Sequence, residues 1–142
     1  MDFEKFQFLI GSVVLYCQMI ENDTKIIYAA MEKGEFFNNY DSLLQSKITL
    51  GQMISALEQL DNSDSNPFFS RKDYKYLKSI TNRRNHWCHE SFLTFIYLKD
   101  FIHNNEYKKE CNSLLTDFKR LSELSKLMEK YRLEIVKKYK RI

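Results

Sequence analysis

Glycine and proline are scarce in this chain of 142 residues, which has three glycines and a single proline, Pro67. A sheet of many short strands needs such turn residues at regular intervals, so an all-α fold follows as the first reading. Long apolar runs are missing as well. The longest, Phe8 to Cys17, is interrupted by Gly11 and Ser12 and is too short for a membrane span. Asp2 and Glu4 stand where a signal peptide carries cations, so a cytoplasmic protein with no membrane partner is expected. Cysteine is sparse too. Cys17, Cys88 and Cys111 are odd in number, widely spaced and set inside helical patterns, which predicts free thiols and no disulfide framework.

Net charge is only +3, yet it is divided unevenly. Residues 1–69 hold four basic and ten acidic side chains, a balance of −6, and residues 70–142 hold eighteen and nine, a balance of +9. That split suits an anionic partner for the C-terminal half, or acidic and basic surfaces of two subunits meeting each other.

Hydrophobic spacing organises the whole length as one domain, 1–142. A first helix is predicted from an Asp2 cap to near Gly34, with Phe3, Phe6, Ile10, Val13, Cys17, Ile20, Thr24, Ile27 and Met31 inward. Glu35 to Tyr40 reads as a turn. Asp41 then caps a brief piece through Gln45, and Thr49 caps a second through Leu60. Asp61 to Pro67 is a loop by composition. Ser70, with Asp73 three residues on, opens a helix predicted to reach about His103. Asn104 or Asn105 caps the last helix, whose stripe is Tyr107, Cys111, Leu114, Phe118, Leu121, Met128, Ile135 and Tyr139. Helices of about 30 residues measure roughly 45 Å, so the expected architecture is an elongated up-and-down bundle of three long helices plus a shorter helical pair. The overhanging end of the last helix is a candidate dimer surface.

One stretch looks like a site: Thr81 to Phe95. At about 100° per residue the stripe runs Leu77, Ile80, Arg84, Trp87, Ser91, Thr94, Leu98 and Phe101, so Arg84 interrupts an apolar face. A guanidinium there needs a carboxylate, a wet groove or an anionic ligand. A structural ion pair and an anion site are both open on this evidence. Asn85 and His89, four apart, share a face, whereas Arg84 and His89, five apart, diverge by about 140° on an α-helix. Other groups in the stretch read as core or as weak sites. Cys88 has the phase of a core thiol, beside Leu77 and Phe95, and Trp87, Phe92 and Phe95 are read as packing residues. His86 and Glu90 share a face, but Cys88 points about 160° away from His86, and no second cluster at ligand spacing exists, so neither a metal nor another cofactor is expected. The basic run Arg71 to Lys78 reads as a solvated helix face, with Lys75 and Lys78 outside the site.

The residues Arg84-Asn85-His86-Trp87-Cys88-His89 resemble the R-N-x-x-x-H signature of the HEPN family, the higher eukaryote and prokaryote nucleotide-binding domains. Members are α-helical bundles with this motif on a later helix. The resemblance implies a metal-independent endoribonuclease whose site forms where two motifs meet across a homodimer, acting on RNA in phage defence or growth arrest beside an antitoxin or defence partner. It assigns His89 as general acid/base, Arg84 as the scissile-phosphate ligand and Asn85 as the group that orients them. Arg83, His86 and Glu90 are accessory candidates. The alternative implied by the same family is a non-catalytic nucleotide-binding or protein-interaction module. In one toxin subgroup a tyrosine two residues beyond the motif histidine is modified by a nucleotidyltransferase; Ser91 stands there in this chain, so that route of silencing is not implied.

Overall fold

The computed structural model describes residues 1–141, and these form helices and turns without a strand. Five α-helices follow one another: α1 (Phe3–Met31), α2 (Phe36–Gln45), α3 (Leu50–Asn62), α4 (Arg71–Asn85) and α5 (Asn105–Lys138). A π-helical turn, His86–Glu90, continues α4 directly, and a 3-10 turn, Phe101–His103, leads into α5. α1 and α5 make the most extensive helix pair. They run parallel, because Phe6 meets Tyr107, Tyr16 meets Phe118 and Arg132 meets Asp23 in the same order along both. α4 runs against α5, with Phe69 just before it beside Tyr131 and Arg83 near its end beside Asp117. The result is an all-α bundle that goes up and down.

Helix ends follow local capping chemistry. Asp2 accepts from the Lys5 amide and starts α1. Thr49 with Gln52, and Ser70 with Asp73, form reciprocal capping boxes, so the shorter Asp73 side chain serves in the place usually taken by Glu or Gln. α2 begins nearly two turns earlier than its sequence predicts. Glu35, not Asp41, is the cap, because its carboxylate accepts from the amides of Phe37 and Asn38; Asp41 lies mid-helix and is bonded by Gln45. The carbonyls at the end of α1 have no helical partners and are met by side chains instead. Asn39 donates to the Ala29, Glu32 and Lys33 oxygens, and Arg141 to those of Ala30, Glu32 and Gly34. Gly34 makes the exit with φ +108°, a conformation that favours glycine.

Polar residues inside the stripes turn out to be paired. In the Asn22-Asp23-Thr24 trio of α1, Asp23 faces α5, where Arg132 donates to it at 2.8 Å, Asn22 accepts from the Tyr40 hydroxyl of α2, and the Thr24 hydroxyl donates to the Ile20 carbonyl. Asp61 belongs to the buried end of α3 and not to the loop: its carboxylate accepts from the Phe68 and Phe69 amides and from the Tyr74 hydroxyl. Gly51 lies where α3 meets α4, and a Cβ there would come into contact with the Thr81 methyl at 3.4 Å.

The regular helix predicted to reach His103 stops at Asn85. After the π turn, residues 91–100 follow a series of turns, with Asp100 at φ 54°. A π turn adds one residue to the helical repeat and so rotates everything beyond it. Phe95, fully buried, therefore takes the inward position that α-helical phase gave to Thr94, and both Thr94 and Leu98 are exposed. Phe92, Phe95 and Phe101 close on Phe3, Phe6 and Tyr107 in one aromatic cluster. That cluster anchors the segment after the motif to both long helices.

Candidate functional site

The motif occupies the end of α4 and the π turn, and its side chains divide between two sides. The first side is bound to α5. Arg83 Nε donates to Asp117 Oδ2 at 2.6 Å, and the Trp87 indole N–H donates to the same oxygen at 2.8 Å. The Arg83 guanidinium also lies over the Trp87 ring, 5.4 Å from its centroid. One turn on, His86 Nε2 is 2.7 Å from Glu110, with Glu90 at 3.9 Å from the other ring nitrogen. Of the accessory candidates, Arg83 and His86 thus serve to fasten the motif to α5. Trp87 is buried and packs, as its phase predicts.

The other side is open. Arg84 is half-buried and forms no ion pair with a carboxylate among the described residues; its one side-chain hydrogen bond goes to Asn85 Oδ1 at 3.2 Å. The structural ion pair expected of an arginine on this stripe is made by its neighbour, Arg83. Asn85 and His89 are both exposed, and His89 takes no part in the ion pairs that hold this segment. Cys88 is exposed, not a core thiol, because the wide turn rotates it outward from the α-helical phase. Cys17 on α1 and Cys111 on α5 are the buried thiols, and Cys17 is pushed up to about 12 chiefly by burial, with Cys88 raising it further and the Arg84 guanidinium acting against them. Cys17 is therefore a neutral thiol at ordinary pH.

The π turn also alters the geometry of the motif itself. A helix closed by i→i+5 bonds advances more slowly per residue, so the separation of Arg84 and His89 narrows from about 140° to roughly 60°. Arg84 and Asn85 are in direct contact, and His89 is exposed one turn further on. Chemically, this stretch offers a guanidinium with no carboxylate partner among the described residues, an amide and an imidazole. Among the described residues no group of three or more His, Cys, Asp or Glu side chains is placed to hold a metal ion.

Two residues that matter here escaped the sequence reading. Asp117 lies on the apolar stripe of α5 between Leu114 and Leu121, and an acidic residue in that phase was a usable signal. Glu110 carried none, since it sits beside the stripe on a highly charged helix. A cavity of about 690 Å³ lies not at the motif but between α3 and α4, lined by Glu58, Asn62, Arg71, Tyr74, Lys75 and Lys78. No described helix is long and apolar enough to cross a membrane. No family profile, curated protein or solved structure matches this chain.

Proposed function

We propose that this chain is a HEPN-like, metal-independent endoribonuclease in which Arg84, Asn85 and His89 act on one phosphodiester. The observation that carries the reading is Arg84, a half-buried guanidinium that has no carboxylate partner among the described residues and stands beside Asn85. Such a group lowers the energy of charge developing on a phosphate. Histidine titrates near neutrality and can take the proton of a 2′-hydroxyl or return one to the leaving oxygen. Asn85 orients the guanidinium through the bond it already accepts. Function as a homodimer belongs to the same reading. α1 exposes Phe8, Leu15 and Met19 on the side away from the core, and a second copy would cover them. Action in the cytoplasm, in defence or growth arrest and under a partner protein, completes the proposal.

The test is incubation of wild type and His89→Ala with structured and unstructured RNA in EDTA, between pH ~5.5 and ~8. Wild type is expected to cleave and the variant to lose cleavage; an inactive wild type across that range ends the catalytic reading. A second reading has its own support, because among the described residues no side chain is bonded to His89 to orient it, as one usually is to a general base. In it the chain is a binding module, and Arg84 holds a phosphate without cleaving it.

A further inference from the structure

The cavity between α3 and α4 and the exposed face of α4 point to one feature. At about 100° per residue, Arg71, Lys75, Lys78, Asn82 and Asn85 fall within roughly 80° of one another and so form a straight line along α4. The line is about 21 Å long at 1.5 Å per residue, and it ends on the motif. All five side chains are exposed. Its first half is the wall of the 690 Å³ cavity, whose other wall is Glu58 and Asn62 of α3.

Charge in this groove is unbalanced. Lys78 is paired with Glu58 at 2.8 Å, but Arg71 and Lys75 form no ion pair among the described residues. The run that sequence alone reads as a solvated face is therefore one side of a cavity with two uncompensated cations. Cations spaced one helical turn apart fit a polymer that carries a charge at each repeat. Asn62, across the groove, has an amide that can both donate and accept, which suits a base edge or a sugar hydroxyl. An acidic peptide would meet Glu58 in the same groove and finds no equivalent use for a line that continues through Asn82 to Asn85.

We infer that the α3–α4 groove is a track for single-stranded RNA, holding successive phosphates on Arg71 and Lys75 and delivering the strand to Asn85 and His89. The inference rests on the RNA reading of the motif. It adds where the strand lies and why the substrate is extended and not a folded duplex end.

The test is fluorescence anisotropy with a labelled 2′-O-methyl oligoribonucleotide, which lacks the attacking hydroxyl, over a series of salt concentrations. Arg71→Gln/Lys75→Gln is compared with Lys5→Gln/Lys33→Gln, which removes the same charge from exposed positions elsewhere; circular dichroism melting confirms that both fold. The track predicts about tenfold weaker binding for the first variant and a slope of log K against log salt reduced by about 1.4, near 0.7 for each lost phosphate contact on a single strand. The control should stay within about twofold. Equal losses in the two variants, or none in either, overturn the track, as does polyglutamate that competes as well as RNA. Cleavage of unmodified RNA by wild type is followed in parallel. Cleavage with Arg71 and Lys75 immaterial leaves the ribonuclease standing and removes the track; binding that depends on them without cleavage keeps the track and removes catalysis. Neither binding nor cleavage by wild type removes both.

Discussion

Arg83 and Arg84 are adjacent in sequence and opposite in use. Arg83 is consumed by structure: Asp117 takes its charge, Trp87 takes its face, and α5 is held to the motif by the result. Arg84, one residue later, has an amide neighbour and no carboxylate partner among the described residues. The same division runs through the segment, with His86 and Trp87 on the fastened side and Asn85, Cys88 and His89 on the free one. A π turn makes the division possible. It is tied to α5 by His86 and Trp87 while Cys88 and His89 face solvent, and such turns recur at functional sites. The fastened side should therefore answer in stability and the free side in activity.

The largest effect expected is on the free side. His89→Ala should lower RNA cleavage by about 10² to 10⁴, the usual worth of a general acid/base, with the melting temperature unchanged. Arg84→Gln should match it. A fall in stability comparable to that of a core mutant would put Arg84 on the structural side and dissolve the comparison. The next effect is its mirror image. Asp117→Ala strands the Arg83 charge and the Trp87 N–H, and should destabilise by about 2–3 kcal/mol in urea unfolding, discounted for the partial exposure of Arg83. Asp117→Asn keeps an acceptor and should recover part of that loss.

The fold was legible because spacing, caps and loops all said the same thing. The α1 stripe, the Thr49 and Ser70 boxes and the Asn104 cap are local signals, and local signals survive folding. The π turn was not legible, since no residue type marks the insertion of one extra position in a helix. Part of what lies downstream was misphased for that reason: Thr94 and Leu98 came out exposed and Cys88 open, while Trp87, Phe92 and Phe95 pack as read. Within the site, the residue types were readable and their partners were not. Arg83 and Arg84 are indistinguishable in sequence until Asp117, more than thirty positions away, chooses between them.

A smaller effect concerns how α3 supports the motif from behind. Thr81 is the first residue of the site stretch, and its hydroxyl is buried with no hydrogen-bond partner among the described residues. Thr81→Val removes that unsatisfied group with little change of shape, and should raise stability by about 1 kcal/mol, read as a higher urea midpoint with the slope unchanged. Cleavage should be untouched. A loss of activity with a gain in stability would show that the hydroxyl belongs to the free side.

The smallest effect tests the contrast through a third arginine. Arg132, like Arg84, interrupts an apolar stripe, but it has its carboxylate in Asp23. Burial raises the Asp23 carboxyl above its ordinary value of 3.8, and the hydrogen bond and charge of Arg132 recover only part of that shift. A carboxyl that is raised in the folded state favours folding most when protonated, so its contribution is present below the unfolded pKa and is lost as pH rises through the folded one. Asp23→Asn keeps an acceptor for Arg132 and cannot ionise. In urea unfolding followed from acid to neutral pH, the variant should therefore gain on wild type as pH rises. If it falls behind instead, the ion pair outweighs burial at this site, and an arginine on a stripe is better stabilised by a carboxylate than Asp23 implies. Arg84, which has none among the described residues, would then be the costlier of the two to keep.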